Sequence, residues 1–296
     1  MHRENDAIIG PSVSTEYLAV YDLEKGTISQ KVDVETEAYI VNAAWFQEGI
    51  VYVDYENPLD KTTWSILRRD DSGTHLIAQG NARSWMAVPH LAVLENRLLF
   101  LWEDPDAGSI GIYEITGSTY SELFSVERFS LYSTEFYHNG QEFCFMAGRP
   151  EAEFATIFVG NADGIQYQYD LSHKLTSYAI SNHAVLVGLG DEKTKEFFAL
   201  NLDLDTYEAS LFKVYRPLYR MTAGQSETAL CVDDRFDFYE IVPEEGRIRQ
   251  LDMPSDSYFF QVATVAISPA VNQRYLVHFE TREDGWQLYF LNGRKL

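Results

Sequence analysis

Six ring-bearing side chains recur along this chain at nearly even spacing. Tyr39, Trp85, Tyr132, Tyr178, Tyr219 and Tyr258 follow one another every 39 to 47 residues. Tyrosine and tryptophan join a flat apolar face to a polar tip, so such a set could stack on a sugar ring, a peptide side chain or a cation. Arg83, Glu135 and Arg220 stand within three residues of Trp85, Tyr132 and Tyr219, where they would supply orienting polar contacts. These nine residues are the candidate ligand-binding set. Packing between repeats is the competing use for the rings.

A second group of chemistry-bearing residues is acidic. Carboxylates gather at Glu56 and Asp60, Glu103-Asp104-Pro105-Asp106, Asp191-Glu192, Asp233-Asp234 and Glu283-Asp284. Grouped around a concave mouth, such oxygens could hold a hard cation such as calcium or attract a basic partner. None has EF-hand spacing, and solvated turn residues are the plainer reading. A glycan-cleaving enzyme would need two carboxylates facing each other across a cleft, and Glu135 with Asp104 or Asp233 is the pair to consider. His90, His138 and His183 lie in or beside apolar runs, where a hydrogen-bonded structural histidine is expected. No G-x-S-x-G elbow, P-loop, H-E-x-x-H or G-x-G-x-x-G occurs. The two cysteines, Cys144 and Cys231, fall in equivalent strands of different repeats and are expected as buried free thiols.

The elements that position these groups are strands. Each aromatic opens a strand, and a second follows, as in Tyr39 to Trp45 and Gly49 to Asp54. A third, richer in rings and branched residues, comes next: Trp64-Ser65-Ile66-Leu67, Ile110-Gly111-Ile112-Tyr113, Thr156-Ile157-Phe158-Val159, Phe197-Phe198-Ala199-Leu200, Phe238-Tyr239-Glu240-Ile241 and Trp286-Gln287-Leu288-Tyr289. A hairpin turn such as Asp71-Ser72-Gly73, Ala162-Asp163-Gly164 or Glu244-Glu245-Gly246 leads to a fourth. Quartets of strands at about 40–50 residues are the signature of β-propeller blades. The expected fold is therefore all-β: a β-propeller of six four-stranded blades, with seven as the alternative. Residues 17–34 read as an orphan outer hairpin, and the last copy ends without an outer strand. The expected closure uses the N-terminal strand to complete the C-terminal blade. Residues 1–296 form one domain on this reading, with 1–12 as a flexible tail. In such a ring the six rings would rim one mouth of the central channel.

The repeat that includes Ile66-Leu67-Arg68-Arg69-Asp70-Asp71-Ser72-Gly73-Thr74-His75-Leu76 resembles those of TolB-type and related sensor propellers. The resemblance spans most of the chain at the level of architecture. It implies protein interaction or an accessory role and brings no catalytic residues with it. Turns such as Thr116-Gly117-Ser118 and Leu204-Asp205-Thr206 depart from its Asp-Gly pattern.

Charge narrows the partners. With 45 acidic against 23 basic side chains, the formal net charge is −22, which repels phosphate backbones and anionic lipid. Nucleic acid is excluded as an expected partner. Membrane insertion is excluded as well, because no apolar run approaches about 18 residues. A protein or a small neutral or cationic ligand remains. The first residues carry no apolar leader, which leaves the compartment open: extracytoplasmic if a leader was trimmed, cytoplasmic otherwise. The functional expectation is a non-enzymatic binding propeller with an acidic, aromatic-rimmed channel face. The alternative is the glycan hydrolase, and no cofactor other than calcium is implied.

Overall fold

The structure, a computed structural model, describes residues 7–11, 17–22, 27–33, 39–47, 49–56, 62–83, 87–131, 136–191, 193–222, 228–235, 237–242, 245–250, 276–282 and 285–291. For the first three and last two of these segments, and at Tyr39, Val41, Trp45, Arg220, Thr222, Leu230 and Phe238, it describes the backbone alone. The chain divides into two compact units, Met1–Asp22 with Ile28–Asp170, and Leu23–Thr27 with Leu171–Leu296.

The first unit begins with β1 (Ala7–Pro11), β2 (Tyr17–Asp22) and β3 (Thr27–Asp33), an antiparallel sheet in that order. Next come β4 (Tyr39–Phe46), β5 (Gly49–Glu56), β6 (Thr62–Asp70) and β7 (Gly73–Ala82), then β8 (His90–Leu94), β9 (Arg97–Asp104), β10 (Ser109–Thr116) and β11 (Thr119–Glu127). Each set is a four-stranded meander in chain order. The last sheet of this unit contains β12 (Ser130–Leu131), β13 (Tyr137–His138), β14 (Glu142–Gly148), β15 (Thr156–Asn161) and β16 (Gly164–Asp170). Its inner strand is broken, so that β12 and β13 both pair with β14. The second unit holds two further quartets. One is β17 (Leu175–Ile180), β18 (Ala184–Asp191), β19 (Glu196–Asp203) and β20 (Ala209–Val214). The other is β21 (Tyr219–Thr222), β22 (Ala229–Val232), β23 (Phe238–Val242) and β24 (Arg247–Gln250). A hairpin of β25 (Leu276–Arg282) and β26 (Gly285–Leu291) completes it. Among the described residues there is no α-helix.

The quartets follow the expected strands closely. The ring-rich segments become the third strands β6, β10, β15, β19 and β23. The N-terminus differs. Ala7-Ile8-Ile9-Gly10-Pro11, read as part of a tail, pairs with β2, so the orphan hairpin is a three-stranded sheet. Two adjacent isoleucines are enough to build this short strand once a hairpin offers an edge.

Within each unit the inner strands stand side by side: β1 by β4, β4 by β8, β8 by β13, and β17 by β21. Consequently β9, between two neighbouring sheets of the first unit, is covered on both faces, which explains its unbroken apolar run. In β9, Leu98 and Phe100 pack with Val51, Val53, Trp64 and Ile66 of the preceding sheet. Leu99 and Leu101, one step out of phase, pack with Phe143, Phe145 and Phe158 of the following one. In the second unit, Leu186, Phe197 and Ala199 meet Met221, Ala229, Cys231 and Ile241. Each such fully buried side chain stabilises the fold by about 1.5–3 kcal/mol. Cys144 and Cys231 sit in second strands as buried free thiols, and burial raises the Cys231 thiol far above its ordinary value.

Two glycines are required by geometry. Gly73 takes a φ of 126° in the β6–β7 turn, a conformation that disfavours any side chain. Gly160 faces Phe143 across the β14–β15 pair, and a Cβ there would lie 2.5 Å from the ring.

Candidate functional site

In a four-stranded meander, the loop after the second strand and the loop after the fourth emerge at the same end. In the first unit those ends carry the β9–β10 loop and the segments leading into β8 and β12; in the second they carry the β18–β19 and β22–β23 loops and the segments leading into β17 and β21. These are the sheet ends at which the sequence placed its candidate residues.

Arg83 follows β7, and its guanidinium is already engaged. Nη2 donates to the Leu131 carbonyl at 2.7 Å and lies 3.3 Å from Glu103 Oε2. The Glu103 side chain, only 7% exposed, also accepts from the Leu131 amide at 2.9 Å. One ion pair thus joins the ends of β7 and β9 to β12 of the next sheet. The second unit repeats the device. Arg216, just before β21, places Nε 3.5 Å from Asp233 Oδ2, and its Nη1 donates to Asp234 at 3.1 Å. The Tyr239 hydroxyl donates to Asp233 Oδ2 at 3.1 Å. Burial, then the Asp233 charge, pushes that phenol up to about 12.

The acidic loops have a local task. Asp104 Oδ1 accepts from the amides of Asp106 and Ala107, at 2.9 and 3.2 Å. Asp191 Oδ1 accepts from Lys193 at 2.8 Å, and Asp233 Oδ1 from Arg235 and Asp237 at 2.8 and 3.0 Å. These are turns in which a carboxylate replaces a backbone acceptor. Asp233 is also buried, at 1% exposure. Of the carboxylates considered for a glycosidase pair, Asp104 and Asp233 therefore hold their own loops, and Glu135 lies outside the described residues. Among the described residues no group of three or more His, Cys, Asp or Glu side chains could hold a metal ion.

The nine candidate residues fare unequally. Tyr39 opens β4 and Tyr219 opens β21, as expected; the Tyr219 side chain is half-buried. Tyr178 is the fourth residue of β17, not its first, and is 1% exposed, which suits packing between strands better than a rim. Arg83 keeps 47% of its side chain exposed beside its ion pair. Arg220 lies in β21. Trp85, Tyr132, Glu135 and Tyr258 lie outside the described residues. Arg216 and Tyr215 were missed, and Glu103 was read only as one carboxylate of an acidic loop. The available signal was an arginine two or three residues before the repeat's aromatic, with a carboxylate 17 to 20 residues further on.

One of the histidines departs from expectation. His90 pairs with Leu101 and His138 with Phe143. Cross-strand partners share a face, so both imidazoles point toward the core between the second and third quartets of strands in the first unit. Burial pushes each down to about 4. His138 Nδ1 is buried without a hydrogen-bond partner among the described residues, so it is not the satisfied histidine anticipated.

No helix among the described residues is long and apolar enough to cross a membrane. No protein family and no curated protein matches the sequence. Solved structures do. The β-propeller domain of the Trilobed protease from Pyrococcus furiosus is similar at a TM-score of 0.53 and 13% identity, over 86% of this chain and 80% of that one. BamB from Moraxella catarrhalis is similar at 0.52 and 12%, over 98% and 83%. Hsv2 of Kluyveromyces lactis is similar at 0.55 and 10%, over 97% and 94%. At these identities the likeness is one of fold, and the fold of this chain is an all-β propeller.

Proposed function

We propose that this chain is a non-enzymatic binding propeller. It takes a protein or small ligand at the sheet ends where the loops after second strands meet the segments leading into inner strands. One observation carries the reading: within each unit those ends are prebuilt. In the first unit the Arg83–Glu103 pair ties strand ends together and Asp104 fixes its turn; in the second the Arg216–Asp233 pair does so, and Asp191 and Asp233 fix the turns. A loop surface held in advance costs little ordering on binding. Part of Arg83 is exposed in the first unit, and Tyr215 and Asp234 are exposed in the second. Tyrosine and arginine are the residues that most often anchor interfaces. Likeness to propellers as different as a protease domain and BamB supports a scaffold whose role resides in its loops.

Site-specific photo-crosslinking tests this. A photoreactive residue replaces Tyr215 or Asp234 at the loop end of the second unit's sheets, or Asp205 or Glu245 at the opposite end of the same sheets, in the cells that make the protein. The proposal expects one discrete adduct from the loop-end positions alone, lost when Tyr219 and Arg220 are both changed to alanine. Adducts from the opposite end only, or from both ends equally, would refute it.

A further inference from the structure

At the loop end of the sheet β17 to β20 three lysines, Lys174, Lys193 and Lys195, stand with three carboxylates, Asp191, Glu192 and Glu196, a more basic balance than the 45 acidic to 23 basic side chains of the whole chain. The turn between Asp191 and Glu196 exposes Lys193 and Lys195. The segment leading into β17 exposes Lys174, whose carbonyl accepts from the Gly190 amide at 2.9 Å and so fixes it beside that turn. Tyr215 follows β20 directly and is fully exposed. Phe197 pairs with Val214, which brings Tyr215 to the level of Glu196. The neighbouring carboxylates are engaged elsewhere: Asp191 accepts from the backbone of its own turn, and Glu196 lies 3.9 Å from the Lys213 ammonium. Among the described residues, no salt bridge engages Lys174, Lys193 or Lys195; Glu192 lies outside them.

We infer that this sheet end is a docking surface for an acidic protein segment, with Lys174, Lys193 and Lys195 taking its carboxylates and Tyr215 an adjacent apolar side chain. The inference rests on the proposed use of the loop end and names its partner. Four strands at a spacing of about 4.8 Å place Lys174 and Tyr215 about 14 Å apart, the length of roughly four extended residues. A short peptide can lay its carboxylates on the patch and leave the rest of the molecule untouched. Duplex DNA carries a charge every ~1.7 Å and would press further phosphates against a surface of net charge −22. The opposing charges also act over different ranges. At physiological salt, repulsion from distant carboxylates is screened beyond about 8 Å, while direct contacts persist. Affinity should therefore peak at intermediate ionic strength.

The test uses the full-length protein and a fluorescein-labelled peptide of six glutamates around one phenylalanine, followed by anisotropy. Glutamine and lysine versions of the peptide and a twelve-base-pair DNA duplex serve as comparisons. The expected result is binding of the glutamate peptide alone, strongest at intermediate salt. Changing Lys193→Glu with Lys195→Glu should weaken it by roughly tenfold or more, Tyr215→Ser should weaken it less, and circular dichroism should be unchanged in both. Equal binding of the glutamine peptide, equal binding of the duplex, or undiminished binding after charge reversal would overturn the inference. Loop-end crosslinking that survives charge reversal would also overturn it and would leave the binding reading standing. Loss of all loop-end crosslinking in the unaltered protein would instead count against that reading.

Discussion

Acid should unfold this protein through two histidines before it does so through its carboxylates. His90 and His138 lie on inner strands of adjacent sheets, and burial holds both near 4, whereas a free imidazole titrates near ~6.5. Between those values the unfolded chain takes up protons that the folded chain refuses. Their contribution is therefore intact above about pH 6.5 and is lost as pH falls toward 4. At about 1.4 kcal/mol per pH unit, each histidine removes about 2.5 kcal/mol between pH 7.5 and 4.5. For His138 the structural reason is visible: protonating Nδ1 creates a donor with no acceptor among the described residues. The 45 acidic side chains also titrate on acidification, and relief of their repulsion works in the opposite direction. The difference between wild type and variant cancels that background. Urea denaturation midpoints would be measured at pH 7.5, 6.0, 5.0 and 4.5 for wild type, His90→Gln, His138→Gln and the double variant. Relative to wild type, each substitution should gain about 2.5 kcal/mol between the first pH and the last, additively in the double variant. A difference that stays constant with pH would refute the reasoning.

Asp233→Ala removes the acceptor for Arg216, Tyr239 and two amides, and should cost about 3 kcal/mol in denaturant melts. The Tyr239 phenol, now held up to about 12, should then ionise at lower pH in an ultraviolet titration. Gly160→Ala would place a methyl 2.5 Å from the Phe143 ring and 2.6 Å from the Gly164 carbonyl oxygen. Because backbone cannot yield there, thermal melts should show a loss of about 2 kcal/mol. Arg83→Ala and Glu103→Gln should each lower stability by about 1–2 kcal/mol. Together they should cost less than their sum, since both open the same clasp on Leu131.

The quartets were legible because they depend on local pattern. The ring-rich third strands, the Asp71-Ser72-Gly73 turn and the two-sided apolar run in β9 all follow from side-chain alternation and turn chemistry. What escaped was orientation. Asp104, Asp191 and Asp233 look like a negatively charged rim in sequence, but each is drawn onto amides of its own turn, a choice set by turn geometry. Tyr178 repeats at the right interval yet lies three residues into its strand, and that offset turns a rim position into a core one. Arg216, three residues before Tyr219, reaches Asp233 across the sheet end, a partner 17 residues away that adjacency in sequence does not reveal. The β1 strand was missed because its five residues pair only when the β2–β3 hairpin is present.

Native-state hydrogen exchange tests the architecture most directly. Among the described strands the account predicts five islands of slowest exchange, in β5, β9, β14, β18 and β22, the second strands whose side chains are almost all buried. The outer strands β7, β11 and β20 should exchange much faster. Protection gathered into one continuous stretch, or greatest in those outer strands, would contradict it.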